Sequence, residues 1–270
     1  MKAVILARGL GTRMRRSDGG AHLTPEQALA ADSGMKAMMP VRDGRPFLHF
    51  VLSSLADAGI REICLVVAPD ADDVRRHFHS ELTLQRLRIA FAIQKEPLGT
   101  ADAVLAAQYF AGADRILVLN ADNYYPVEAY RALAQVDGNA LPGFDRQALV
   151  THGNIDPERI RRFAVLRVSA DGYLEEIVEK PDETTFNAMG PHALVSMNLW
   201  AFTPLIFEAC RRVQPSARGE LELPDAVRIA MKQFGERFKV LPFTAPVIDL
   251  GNRGDVASVV SFLREVRPVL

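Results

Sequence analysis

Val4-Ile-Leu-Ala-Arg-Gly-Leu-Gly-Thr-Arg-Met14 decides how the rest of this chain is read. An apolar run ends at Ala7, and Gly9, Gly11, Thr12 and Arg13 follow at once. A buried strand therefore runs out into a loop whose backbone admits a ligand without Cβ interference. The bare N–H groups of residues 9–12, with Arg13 behind them, suit a polyphosphate. The dinucleotide-binding fingerprint needs a third glycine where Met14 stands, and the phosphate loop ending in Gly-Lys-Ser/Thr is absent.

Outward from that stretch, strand-like and helix-like segments alternate. Strands are expected at 2–6, 63–68, 88–93 and 115–119, and helices at 45–57, 71–79, 101–110 and 127–135. Uninterrupted apolar strands separated by helices imply an α/β fold with a mostly parallel sheet covered on both faces. Ligands of such sheets gather beyond the carboxyl ends of the strands. After residue 140 the pattern becomes α+β. Strands are expected at 148–151, 163–168, 173–179 and 193–202, with a hairpin turn at 169–172. Helices at 204–212, 224–234 and 255–264 follow, with strands 238–242 and 246–250 closing the sheet. No linker or repeat separates the halves, so residues 1–270 read as a single domain.

Composition narrows the classes. The chain has 270 residues, 49 % of them hydrophobic, enough for one large core. A formal net charge of −1 gives no global field toward nucleic acid or an anionic membrane. Cys64 and Cys210 read as buried thiols of a reducing cytoplasm, and no apolar stretch is long enough to span a bilayer. Residues 15–33 form an insertion. Thr24, Pro25 and Gln27 predict a capped helix over 25–31, with Gly19, Gly20 and Gly34 as hinges. It reads either as a tolerated surface insertion or as a lid over the phosphate site.

Six segments, in this order, resemble the sugar-1-phosphate nucleotidyltransferases, the nucleoside-diphosphate-sugar pyrophosphorylases. They are Leu6-Ala-Arg-Gly-Leu-Gly-Thr-Arg-Met14, Met35-Lys-Ala-Met-Met-Pro-Val41 and Gln94-Lys-Glu-Pro-Leu-Gly-Thr-Ala101. Leu119-Asn-Ala-Asp-Asn123, Val178-Glu-Lys-Pro181 and Val247-Ile-Asp-Leu-Gly251 complete the set, and Arg218-Gly-Glu-Leu-Glu-Leu-Pro-Asp225 is similar to a further family segment. The resemblance implies a Rossmann-like three-layer nucleotidyltransferase fold with a small α+β sugar-binding extension. Residues 1–140 would be the nucleotide-binding half and 141–270 the sugar-phosphate half.

The implied reaction is attack of a sugar-1-phosphate oxygen on the α-phosphorus of a nucleoside triphosphate, giving a nucleoside-diphosphate sugar and pyrophosphate. It needs two polyanions held in line and their shifting charge neutralised, with no side-chain nucleophile. No Ser/His/Asp or Cys/His arrangement is present, and His77 and His79 diverge on their helix. By resemblance, Arg13, Lys36 and Lys180 are the catalytic cations. Leu6, Ala7, Gly9, Gly11, Thr12, Gln94, Gly99 and Thr100 line the nucleotide, Gly99 letting the base approach the backbone. Glu179, Lys180 and Asn198 hold the sugar phosphate. Asp122 and Asp249, each directly after an apolar strand, hold Mg2+.

The Gln94 amide offers a donor and an acceptor to a base edge and suits uracil or thymine, so UTP or dTTP is the expected triphosphate. Arg8 and Met35 depart from the family pattern; Arg8 either crowds the nucleoside or adds charge at the triphosphate. Two alternatives remain: a catalytically silent nucleotide-sugar-binding relative, and a cytidylyltransferase for a non-sugar alcohol phosphate. The joint presence of Arg13, Lys36, Asp122, Lys180 and Asp249 speaks against a silent site. Neither nucleic acid nor membrane is an expected partner. A homo-oligomer stays open, though no left-handed β-helix repeats are present to build one.

Overall fold

The strand Lys2–Leu6 is flanked on both sides. It runs parallel to Glu62–Val67, with Leu6 opposite Val66, and parallel to Ile116–Asn120, with Leu6 opposite Asn120. Its side chains alternate between two cores. Ala3 and Ile5 join Phe47, Phe50, Leu65 and Leu119 on one face; Val4 joins Cys64, Val66, Val104, Trp200 and Phe238 on the other. Covered on both faces, these strands carry no polar alternation, which is why they read as continuous apolar runs. The computed structural model describes residues 1–16, 20–190 and 192–270.

The main sheet has ten strands. From one edge the order is Leu174–Val178, Ala164–Val168, Val195–Ser196, Asn139–Phe144, Trp200–Phe202, Ile116–Asn120, Lys2–Leu6, Glu62–Val67 and Arg88–Ile93. Phe238–Phe243 adds in parallel to Asn139–Phe144. The last four strands of that path are the parallel block, and the pairings that carry the sheet past residue 140 are mostly antiparallel. With Phe47–Asp57 packed on one face and Thr100–Ala106 and Leu223–Phe234 on the other, the architecture is the expected three-layer α/β fold. Among the described residues, no helix is long and apolar enough to cross a membrane.

Some local expectations change. Residues 148–151 are not a strand but belong to the helix Arg146–Thr151, because the Asp145 carboxylate accepts from the Ala148 N–H at 2.8 Å and caps it. Residues 193–202 are two strands, broken at Asn198, whose φ of 59° is left-handed. The 246–250 segment does not close the main sheet. Ile248–Asp249 instead pairs antiparallel with Asn123–Tyr124 in a sheet of its own. Both cysteines are free and buried, and burial pushes each thiol up to about 12.

The insertion is built into the fold. Pro25–Ser33 is a helix with the expected capping box, and Ala30 and Ala31 are buried. The Gln27 amide donates to the Pro40 carbonyl at 2.9 Å. Of the glycines read as hinges, Gly19 lies outside the described residues. Gly34 meets Gly11 backbone to backbone, with φ of +75° and +60° respectively, and a Cβ on Gly11 would fall against the Gly34 carbonyl. The helix thus buttresses the glycine loop.

Gly11→Ala combines a left-handed φ with a backbone clash, and should cost about 1–3 kcal/mol. Thermal unfolding of the variant checks this; an unchanged midpoint would contradict the packing described.

Candidate active site

Two carboxylates meet where the parallel strands end. Asp122 leaves Ile116–Asn120 after one residue, and Asp249 ends the strand Ile248–Asp249. Pairing sets Asp249 opposite Asn123, and the Leu250 N–H donates to the Asp122 carbonyl at 2.9 Å. Asp249 is 8 % exposed. Its Oδ1 accepts from Asn123 Nδ2 at 2.8 Å, its Oδ2 accepts from the Arg159 guanidinium, and its backbone exchanges hydrogen bonds with the Asn154 amide at 2.8 and 2.9 Å. Burial, then the Asp122 charge, push its carboxyl upward against the pull of Arg159 and Lys36. Asp122 pairs with the Lys36 ammonium at 2.9 Å.

The glycine loop lies beside this pair. The Ala121 N–H donates to the Leu6 carbonyl at 3.1 Å, and the Ala7 N–H to the Val66 carbonyl at 2.9 Å. Leu6 and Ala7 therefore sit at the carboxyl ends of three adjacent strands, and Gly9, Gly11 and Thr12 follow them in the loop. A Cβ on Gly9 would meet nothing within 4 Å, so its backbone faces open space. Arg13, on the helix Thr12–Arg15, is exposed. No hydrogen bond or ion pair holds its guanidinium among the described residues. Arg8 points sideways, donating from Nε to the Gln94 carbonyl at 2.8 Å and from Nη2 to the Lys95 carbonyl at 3.1 Å. It stitches the glycine loop to the 94–95 turn instead of adding free charge.

Gln94 is 4 % exposed. Its Nε2 donates to the Gly99 carbonyl at 2.9 Å and to Asp102 Oδ2 at 2.8 Å, two acceptors that fix the amide's orientation. Its Oε1 takes no hydrogen bond among the described residues. Gly99 has φ of +123°, and a Cβ there would collide with the Leu221 backbone. The chain itself makes a close approach at Gly99, on the Leu221 backbone. Thr100 is likewise committed: its Oγ1 accepts from the Leu223 N–H at 2.9 Å.

On the far side, a cavity of about 790 Å3 is lined by Glu179, Lys180, Arg218, Glu222 and Arg228, among others. The loop that crosses Gly99 supplies part of its wall. Lys180 has φ of 44°, and it and Asn198 are two of the three non-glycine residues with positive φ among the described residues. Such strained backbone persists only where surrounding structure over-determines it. Burial, then the Glu222 carboxylate, push the Glu179 carboxyl up to about 7. Glu222 ends below its ordinary value; burial pulls it upward, but hydrogen bonds from Arg218 and Ser216 and the charges of Arg218 and Arg228 together outweigh that.

The fold therefore brings Lys36, Asp122 and Asp249 into one cluster beside the glycine loop, and Glu179 and Lys180 onto one cavity. Trp200 is core, fully buried and stacked on Phe202. His77 joins His49, Nε2 to Nε2 at 2.8 Å, away from these clusters. Sequence reasoning missed Asn154 and Arg159, which fix Asp249, and Arg253, whose guanidinium reaches the Met14 carbonyl at 2.7 Å.

Comparison with known proteins gives a consistent picture. The family model described as "Nucleotidyl transferase" matches residues 2–264. A UTP–glucose-1-phosphate uridylyltransferase of Haloferax volcanii is 30 % identical over 232 residues, covering 86 % of this chain and 84 % of that protein. A glucose-1-phosphate thymidylyltransferase of Neisseria gonorrhoeae is 26 % identical over 280 residues, covering 100 % of this chain and 84 % of the relative. Among solved structures, a UDP-glucose pyrophosphorylase complexed with UDP-glucose superposes with a TM-score of 0.76 at 18 % identity, covering 98 % of this chain and 99 % of that one. At that identity the likeness speaks for the fold.

The raised Glu179 carboxyl has a stability consequence. Between its ordinary 4.5 and about 7, the unfolded chain gives up this proton first, so folding stability falls as pH rises through that window. Glu179→Gln should match wild type in thermal stability below the window and exceed it above; a pH-independent difference would contradict the burial of this carboxyl.

Proposed function

The chain belongs to the nucleotidyl transferase family, and from that premise we propose that it transfers a nucleoside monophosphate from UTP or dTTP to a sugar-1-phosphate, with Mg2+. The observation that carries the reading is the convergence of Lys36, Asp122 and Asp249 beside the glycine loop, at the carboxyl ends of the parallel strands. Glucose-1-phosphate, the acceptor in the names of its relatives, is the first acceptor to test.

The donor set fits magnesium. Two carboxylates from facing strands give hard oxygen ligands, and Mg2+ completes its shell with substrate phosphates and water instead of a protein cage. Among the described residues, no group of three or more His, Cys, Asp or Glu converges. Bound there, the ion would neutralise phosphate charge at the reacting phosphorus.

The chain's own groups do the remaining work. The N–H groups of the glycine loop and the exposed Arg13 guanidinium hold the triphosphate, and Arg13 balances charge as the bond to pyrophosphate lengthens. Lys36 keeps one contact with Asp122 and turns its other N–H donors to the anion. Lys180 holds the acceptor's phosphate so that one oxygen faces the α-phosphorus; that oxygen forms the new bond as pyrophosphate leaves. Glu179 accepts from sugar hydroxyls. The bare Gln94 Oε1 can accept from the ring N–H of uracil or thymine, whereas the cytosine ring nitrogen has no hydrogen to give. Two buried free thiols fit a cytoplasmic location.

With Mg2+, UTP or dTTP and glucose-1-phosphate, the protein should release pyrophosphate, and chelation should stop it. Asp122→Asn should fold as wild type and lose at least ~100-fold in kcat. No pyrophosphate from any pairing of triphosphate and sugar-1-phosphate would refute the assignment.

A further inference from the structure

Thr12–Arg15 is a helix of four residues. It is too short to hold its own shape, because a first helical turn orders several residues for one hydrogen bond. Its geometry, and the place of Arg13 on it, is imposed from outside. Gly11 rests on Gly34, the Met14 side chain is fully buried, and the Arg15 guanidinium donates to the Ser33 carbonyl at 2.8 Å. A further constraint comes from the carboxylate side. Arg253, two residues past Gly251, donates from Nε to the Met14 carbonyl at 2.7 Å and from Nη2 to the Arg15 carbonyl at 3.4 Å. Its Nη2 also meets the Asp32 carboxylate of the insertion helix.

Those two carbonyls end the helix, where last-turn carbonyls need donor partners from outside the helix's own ladder. A cation suits that end as well. The Arg253 side chain is only 12 % exposed, and its base is stiff. Asp255 Oδ2 accepts from the Gly251 and Asn252 N–H groups at 2.8 and 2.9 Å, and Asn252 Oδ1 accepts from the Gly254 N–H at 2.8 Å. Arg159 binds both Asp249 and Asp255. One rigid loop thus carries the Asp249 carboxylate and the guanidinium that grips the phosphate helix.

We propose that Arg253 is a positioning residue that locks Thr12–Arg15 to the Asp249 loop, so that Arg13 and the carboxylate pair keep a fixed spacing around the triphosphate. It touches no substrate and acts through Arg13. This rests on the crevice being a triphosphate site, and is independent of the acceptor and of turnover.

The test is a double-mutant cycle read by titration calorimetry with magnesium-UTP and magnesium-dTTP. Arg253→Met keeps the length of the side chain and removes every donor. Arg13→Ala and Arg253→Met should each weaken binding about tenfold, and the double variant no more than about twentyfold, because the Arg253 effect vanishes without Arg13. Arg253→Lys, still able to reach one carbonyl, should recover most of the loss. A loss near ~100-fold in the double variant, the product of independent effects, would overturn the proposal, as would wild-type binding by Arg253→Met. If Arg253→Met does not fold, Arg253→Gln takes its place in the cycle. A wild type that binds triphosphate but releases no pyrophosphate would sink the transferase reading while leaving this cycle intact; one that binds neither triphosphate would sink both.

Discussion

Two carboxylates set on neighbouring segments by one short strand pairing are the constraint around which this molecule is arranged. Asp122 and Asp249 lie more than a hundred residues apart in sequence, and the pairing of Asn123–Tyr124 with Ile248–Asp249 makes them neighbours. Burial first, and then the like charge of Asp122, push the Asp249 carboxyl upward. The fold offsets this with Lys36 on Asp122, and with Arg159 and the Asn123 amide on Asp249. A buried ion pair is weak evidence for stability, since desolvation consumes much of its Coulombic gain. Its place at the carboxyl ends of the parallel strands fits the proposed binding of metal and phosphate there.

Around that pair, loops are set by backbone meeting backbone. Gly11 lies on Gly34, and Gly99 lies under Leu221. Both glycines have positive φ and no room for a side chain, so each fixes the separation of two segments distant in sequence. The first contact ties the glycine loop to the insertion helix. The second ties the 94–100 turn to the wall of the Glu179 cavity. Lys180 and Asn198, held in left-handed backbone, present their side chains from turns that a relaxed strand would not form.

Much of this was legible in the sequence. The parallel block showed itself because strands buried on both faces lose their polar alternation, as 4–6 and 116–119 do. The capping box at Thr24 and Gln27 is local chemistry, and its helix formed as read. Ala148-Leu-Val-Thr151 misled because β-branched residues suit strands, while the Asp145 cap and buried Ala148 and Leu149 favour a helix. At the candidate site, the residues that end strands were visible; those that hold them were not. Arg159 and Arg253 act on partners 90 and 239 residues away, and no local pattern marks such a pairing. The packing of Gly99 on the Leu221 backbone is a contact that only tertiary structure creates.

On the proposed reading, the two carboxylates, with Arg13 and Lys36, enclose one bound polyphosphate. Anomalous diffraction from crystals grown with Mn2+ and UTP tests it most directly. The account predicts a metal peak shared by Asp122 and Asp249, with triphosphate oxygens completing its shell and Arg13 and Lys36 on the same phosphates. A peak bound away from both carboxylates, with no triphosphate at the glycine loop, would contradict it.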